Sequence, residues 1–233
     1  MGGLAAAAAI LTAGAAGAQE ADGRIEQSRG GGTTRYIGAE EQERLNLLFA
    51  QVQGVLEARD WPQAETLLLR ILELDWDETR SISTLRSLAE VYEGQGRHAE
   101  AIAAYRTVLK RSEETWGGDD GTPRIAERFQ LAGALERAGQ PREAERIYRQ
   151  GLRSSIEALR DYQPGHHSEA LDGPHVSTFA LLEGLDRVLD GPQGRREMER
   201  LYREVLPLYV RALGEDDAYT KAVRDKLALL ALS

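Results

Sequence analysis

"REAERIYRQGL", residues 142–152, returns as "REMERLYREVL" at residues 196–206, with eight of the eleven positions identical or nearly so. Two further segments fall into the same register. The four copies are "WPQAETLLLRIL" from Trp61, "HAEAIAAYRTVL" from His98, "PREAERIYRQGL" from Pro141 and "RREMERLYREVL" from Arg195. Their fourth positions are Ala64, Ala101, Ala144 and Met198. Offsets of 3 and 4 from there give Leu67-Leu68, Ala104-Tyr105, Ile147-Tyr148 and Leu201-Tyr202; offsets of 7 and 8 give Ile71-Leu72, Val108-Leu109, Gly151-Leu152 and Val205-Leu206. Offsets 0, 3, 4, 7 and 8 define one face of an α-helix. Charges such as Glu145, Arg149, Glu199 and Arg203 take the opposite face, some at i, i+4 spacing. Tyr105, Tyr148 and Tyr202 therefore read as packing residues, and Trp61, Trp76 and Trp116 as packing at repeat junctions.

Each of these helices follows another. "STLRSLAEVYEGQGR" carries Leu85, Leu88, Ala89 and Tyr92 ahead of Gly94 and Gly96, and "AERFQLAGALERAGQ" carries Leu131, Ala132 and Leu135 ahead of Gly139. Glycine after a helix lets the backbone turn through the left-handed region at little cost. Small residues at Ala89, Ala101, Ala132 and Ala144 let two helices approach closely. The unit is a helical hairpin, and a single hairpin cannot bury its own apolar face, so neighbours must stack.

The pattern resembles the tetratricopeptide repeat. Leu88-Ala89, Tyr92, Gly96, Ala101 and Tyr105 lie at that family's spacing, as do Leu131-Ala132, Leu135, Gly139, Ala144 and Tyr148. The marker positions are 37, 43 and 54 residues apart, longer than the usual repeat of about 34. The long connections are similar to the kinesin-light-chain-type variant, in which an acidic glycine turn joins hairpins. "TWGGDDGTPRIAERFQLA" and "ALGEDDAYTKAVRDKLA" look like two copies of that turn. The resemblance implies an all-α fold, an α-solenoid of about four helix-turn-helix repeats near 40–77, 78–116, 122–161 and 175–213, with a capping helix at 217–232. Repeat one departs from the pattern, with Arg59-Asp60 in place of glycine and Val52 in place of a small residue. Repeat four places Asp186 where Ala or Gly packs, which predicts a splayed or shifted hairpin.

The totals narrow the function. In 233 residues, 29 Lys and Arg face 38 Asp and Glu, a net charge of −9, so no nucleic-acid surface is expected. Cysteine is absent, which excludes disulfides, thiolate metal sites and a cysteine nucleophile. At the front, an apolar run from Leu4 to Leu11 and the A-x-A pattern Ala16-Gly17-Ala18 before Gln19 predict a signal peptide over 1–18 and a periplasmic or secreted protein, the alternative being cytoplasmic. The run is too short for a membrane span. Residues 19–38 are polar and include Gly30 to Gly32, which reads as a flexible tether before a repeat domain over 39–233.

No phosphate loop, nucleophile elbow or H-E-x-x-H motif is present, so the chain is read as no enzyme, with no cofactor. The paired carboxylates Asp119-Asp120 and Asp216-Asp217 sit at helix starts, where the helix dipole favours them. The loop "DYQPGHHSEALDGPH" holds His166, His167, Asp172 and His175, imidazole and carboxylate donors of the kind that bind zinc or nickel; without helical spacing its bland reading is a solvated loop.

By the resemblance, the first helix of each pair lines a concave surface. Groove-facing positions are then Asn46, Phe49, Gln53 and Leu56 in repeat one. In repeat two they are Ser83, Arg86, Glu90 and Glu93, and in repeat three Ala126, Phe129, Gln130, Gly133 and Glu136. Some members clamp a peptide carboxylate with Lys and Asn there, for which Arg86, Gln53 and Asn46 are this chain's rough analogues. Phe49 and Phe129 are either anchors for a partner's apolar side chain or packing against the next hairpin. The expected function is a non-enzymatic adaptor binding a protein or peptide, with no integral membrane span. Two alternatives stand beside it: a self-associating module using Leu227, Leu229, Leu230 and Leu232 of the last helix, and a metal-dependent accessory protein using the His166–His175 loop.

Overall fold

The protein is described from a computed structural model, which places residues 20–21, 24–29, 33–75, 77–116, 122–162 and 173–231. The expected leader over 1–18, Trp76, Asp119-Asp120, His166, His167, Asp172 and Leu232 lie outside the described residues. From residue 39 onward the described elements are all helices: α1 (Ala39–Glu57), α2 (Trp61–Leu74), α3 (Glu78–Gly94), α4 (His98–Trp116), α5 (Thr122–Arg137), α6 (Pro141–Asp161), α7 (Pro174–Val188), α8 (Gly191–Leu213) and α9 (Ala218–Ala231). The chain divides at Gly117/Gly118 into two compact units.

The reading of 19–38 as a featureless tether needs correction. Strands β1 (Glu20–Ala21), β2 (Arg24–Arg29) and β3 (Thr33–Gly38) form a small antiparallel sheet in the order β1-β2-β3. Arg24 lies opposite Gly38, Ile25 opposite Ile37 and Arg29 opposite Thr33. Charge hid the signal, because Thr33, Thr34, Tyr36 and Ile37 are strand formers by shape and the pairing satisfies backbone groups along both strands. Ile37 is fully buried and β3 runs directly into α1.

Each helix begins where local chemistry places it. Asp60 accepts the Gln63 backbone N–H at 3.2 Å at the head of α2, and Asp77 accepts that of Arg80 at 2.8 Å at the head of α3. Pro62, Pro141 and Pro174 sit in first turns, where their missing N–H costs nothing. Asp217 accepts the Tyr219 N–H at 2.8 Å and so caps α9, a structural role for that carboxylate.

The turn between paired helices recurs in three copies. Arg59, Gly96 and Gly139 each donate a backbone N–H to the residue three before, at 3.1, 2.9 and 3.0 Å. Both glycines have φ of 72°, and Arg59 takes the same left-handed turn at φ 56°. A residue with a Cβ is strained there. Arg59→Gly therefore raises unfolding free energy by about 1 kcal/mol, net of the extra freedom glycine gains in the unfolded chain. A urea melt reads this directly, and an unchanged or lower midpoint contradicts it.

In the first unit, Leu48, Val52 and Leu56 of α1 pack with Ala64, Leu68 and Ile71 of α2 and Leu88 and Val91 of α3. Each such leucine contributes about 1.5–3 kcal/mol when fully buried. Val52, where the resemblance expects a small residue, is fully buried in this cluster. In the second unit, successive helices pack in order from α5 to α9, and alternate helices also touch: α5 with α7, α6 with α8 and α7 with α9. That is the pattern of hairpins stacked on hairpins. Tyr105, Tyr148 and Tyr202 are buried. The Ser155 and Thr178 hydroxyls meet at 2.6 Å between α6 and α7, and Thr178 also donates to the Pro174 carbonyl at 2.7 Å.

Repeat four is the most loosely paired hairpin, α7 and α8 sharing far less contact than α5 and α6, as a splayed hairpin would. The Asp186 carboxylate accepts from Lys226 Nζ of α9 at 3.1 Å. Gly184, two positions earlier on α7, is seated against the Tyr148 ring of α6, in the preceding hairpin.

Candidate partner-binding surface

The residues expected to face a groove are not equally available. On α1, Asn46 is exposed and accepts from Gln42 Nε2 at 2.8 Å, while Phe49 and Gln53 are half-buried. Phe49 packs against the first unit's core cluster, and Leu56 belongs to that core outright. Leu56 is therefore removed from the groove set: its side chain is buried in the cluster that holds Leu68 and Ile71. On α3, Ser83, Arg86 and Glu90 are half-buried, and Ser83 donates its hydroxyl to the Thr79 carbonyl at 3.1 Å. Because α1 and α3 both pack on α2 and contribute to one core cluster, their outer faces belong to the same unit.

Glu90 is the electrostatic oddity of that face. Burial, reinforced by Glu93 and opposed by Arg86, pushes its carboxyl from an ordinary 4.5 up to about 7. The native state thus holds a proton that the unfolded chain has released between those values. The resulting stability is complete below pH 4.5 and is lost as pH rises through 7. Glu90→Gln removes this dependence. The variant gains on the parent protein between pH 5 and pH 8 by on the order of 2 kcal/mol. Chemical denaturation at the two pH values measures it, and a constant difference would falsify the assignment.

In the second unit, Ala126 is exposed and Phe129 and Gln130 are half-buried on α5, while Gly133 is buried. Phe129 lies 6.1 Å from Tyr148 between ring centroids, tilted by 54°, so it packs within its own unit. Gln130 has a buried side-chain oxygen without a hydrogen bond. Glu136 is occupied: its carboxylate takes Arg187 Nε at 2.8 Å and the Tyr148 hydroxyl at 2.9 Å. Arg187 holds the Glu136 carboxyl below the usual range, and burial with Glu136 pushes Tyr148 up to about 12.

This tyrosine–carboxylate pair is a repeat feature that the sequence reading missed. Tyr105 donates to Glu93 at 3.5 Å across the same separation of twelve residues. Repeat one replaces the pair with buried Leu56 and Leu68, also twelve apart. The signal was present, since Glu93 and Glu136 sit at one offset from aligned tyrosines. What the spacing does not show is Arg187, which arrives from α7.

Among the described residues, no group of three or more His, Cys, Asp or Glu side chains is placed to hold a metal ion. His175, the one described member of the histidine loop, stacks edge-on with Tyr162 and Tyr219 at 6.0 and 5.4 Å. Burial lowers its pKa against the pull of Asp217. No helix among the described residues is long and apolar enough to cross a membrane.

With the hairpins, the left-handed turns and the buried tyrosines in place, one family model matches part of the chain. Residues 80–157 fit the family model of the tetratricopeptide repeat. The two hairpins from α3 to α6 match the tetratricopeptide repeat. Two solved structures share the tetratricopeptide fold, both of nearly identical TPR-like repeats from a putative kinesin light chain of Podosopora anserina, one of them carrying a single substitution. Each is 19% identical to this chain with a TM-score of 0.59, covering 81% of it and 85% or 86% of the other chain. No curated protein matches. The fold class is all-α, that of the α-solenoid repeats. Tetratricopeptide repeats suggest a protein-interaction scaffold, typically a non-catalytic one.

Proposed function

We propose that this chain is a non-enzymatic adaptor that holds a protein or peptide segment on the outer face of α1 and α3, and that it works outside the cytoplasm of a bacterium. The observation that carries the binding reading is a row of polar side chains along the first helices of the first unit. Asn46 and Gln53 on α1, with Ser83, Arg86 and Glu90 on α3, stand at helical spacing beside the half-buried ring of Phe49. Hydrogen-bonding side chains around one accessible aromatic suit an extended segment that contributes one apolar side chain. The step from fold to binding is analogy with other repeat proteins, so it rests on this face rather than on the fold alone.

Capture from the native cell-envelope fraction tests it. Phe49→Ala is expected to lose partners that the unaltered protein retains, with helical content unchanged by circular dichroism. Phe129→Ala, whose ring packs on Tyr148, is expected to keep them. Equal capture by both folded variants removes the proposed face. Export is tested separately by the mass of the mature protein, which is expected to begin at Gln19.

A second reading is favoured by one observation. Leu229 on α9 is 64% exposed, with Leu227 and Leu230 half-buried beside it. Self-association through α9 predicts a dimer in sedimentation at tens of micromolar, and Leu229→Glu is expected to dissociate it.

A further inference from the structure

A cavity of about 360 Å³ lies within the second unit, between α6 and α8. It is formed by second helices of their hairpins, whereas the proposed partner face is on first helices of the other unit. Its floor is apolar: Leu152 and Ile156 from α6, Leu185 from α7 and Leu201 from α8, all buried. Toward each end an ion pair bridges α6 and α8. Arg149 Nη2 reaches Glu197 at 2.8 Å at one end, and Arg160 reaches Glu204 at 2.9 Å at the other. These arginines are eleven residues apart on one helix, a trough about 16 Å long.

The wall carries four guanidinium groups and two carboxylates, in a chain whose net charge is −9. Arg149 and Arg160 are committed to the end pairs. Arg153 and Arg200 face the opening. Arg153 is exposed, and Arg200 is 70% exposed with only a 3.7 Å approach to Glu197, which Arg149 already occupies. Glu157 is the remaining acid on the wall. An apolar floor with two lightly held arginines at its mouth fits a ligand with a short hydrocarbon body and one anionic head. These bridging pairs favour a small molecule over a polymer, because a peptide lying in the trough would have to cross an ion pair toward each end. The volume is at the small end of those that hold small molecules.

We propose that this cavity binds a small amphipathic carboxylate, its chain on Leu152, Ile156 and Leu201 and its head between Arg153 and Arg200. The site is independent of the partner face, so either reading can fail without the other. The probe is octanoate, followed by methyl NMR on the full chain, with octanol as the uncharged control. Octanoate is expected to shift the Ile156 and Leu152 methyls saturably, with a Kd on the order of 0.1–1 mM. Octanol is expected to bind at least about tenfold more weakly, as one lost charge-assisted contact implies. Arg153→Ala with Arg200→Ala is expected to weaken octanoate by a similar factor and leave octanol unchanged. The proposal is overturned if octanoate leaves those methyls unmoved, if octanol binds equally well, or if the double variant binds octanoate as before. It is also overturned if a Leu–Asp peptide displaces octanoate from the same methyls at lower concentration, which would make the trough a docking surface. The methyl shifts in the unaltered protein decide the matter even if the double variant does not fold.

Discussion

Replacing Gly184 with alanine lowers the stability of the second unit by about 3 kcal/mol, toward the upper end of what overpacking one methyl group costs. A Cβ built at Gly184 falls 2.4 Å from Tyr148 Cε1 and 2.6 Å from Cζ. The ring has nowhere to go. Tyr148 is fully buried, its hydroxyl is fixed on Glu136 at 2.9 Å, and Phe129 packs on it from α5. Close-packed interiors respond to such an insertion by moving backbone, so α7 must lift from α6. The gain in helix propensity from glycine to alanine, about 1 kcal/mol, offsets only part of this. Gly133→Ala is the control. Its nearest neighbour is Arg137 Nη1 at 3.3 Å, the far end of a flexible side chain, so the propensity gain survives and the variant is neutral or slightly more stable. Urea unfolding of the two variants separates these outcomes. A Gly184→Ala protein within about 0.5 kcal/mol of the parent would mean that α7 does not press on Tyr148.

The second large effect belongs to the first unit. Asp75→Ala is expected to cost about 3 kcal/mol, the scale of breaking a buried pair by removing one partner. Asp75 is fully buried just past the end of α2, and its carboxylate grips Arg80 of α3 through two bonds, at 2.7 Å from Nε and 2.9 Å from Nη2. It also accepts the Asp77 backbone N–H at 3.0 Å. One side chain therefore fixes the connection between the first and second hairpins. Removing it leaves a half-buried guanidinium without its counter-charge and a backbone donor without its acceptor, the costly way to break such a pair. Asp75→Asn keeps the shape and one acceptor, so about half of the loss is expected to return. Denaturation followed by circular dichroism measures both, and equal stability of the alanine variant and the parent would rule out this role.

Much of the architecture was legible because its determinants are local. Ala64, Ala101 and Ala144 with their offset leucines specify helix faces by period alone. Gly96 and Gly139 mark turns by the one backbone conformation that side chains resist. Even the anomaly at Arg59 was visible, and the left-handed φ shows that the turn is imposed there against residue preference. The sheet over 20–38 was misread because its strands are short and charged, and their pairing is a relation between two segments rather than a property of either. Asp186 was legible as a departure from the packing register, but its partner was not, since Lys226 comes to it from forty residues away.

The candidate surface was less legible than the fold. Helical spacing groups Asn46, Phe49 and Gln53, and Ser83, Arg86 and Glu90. It could not show that Phe129 packs on Tyr148, or that Glu136 is occupied by Arg187 and therefore serves its own unit.

By itself, then, the amino-acid order determined the helices, their pairing, the turns and the absence of thiol chemistry, since these follow from periodicity, backbone preference and composition within a few residues of one another. Only the tertiary structure decided which polar side chains are spent on the protein's own packing, where Gly184 meets Tyr148, and that a cavity with arginines at its mouth opens between α6 and α8. The physical reason is reach. A helical period acts over one or two turns, whereas ion pairs and cavities join side chains that the sequence keeps forty or fifty residues apart, and only packing brings them together.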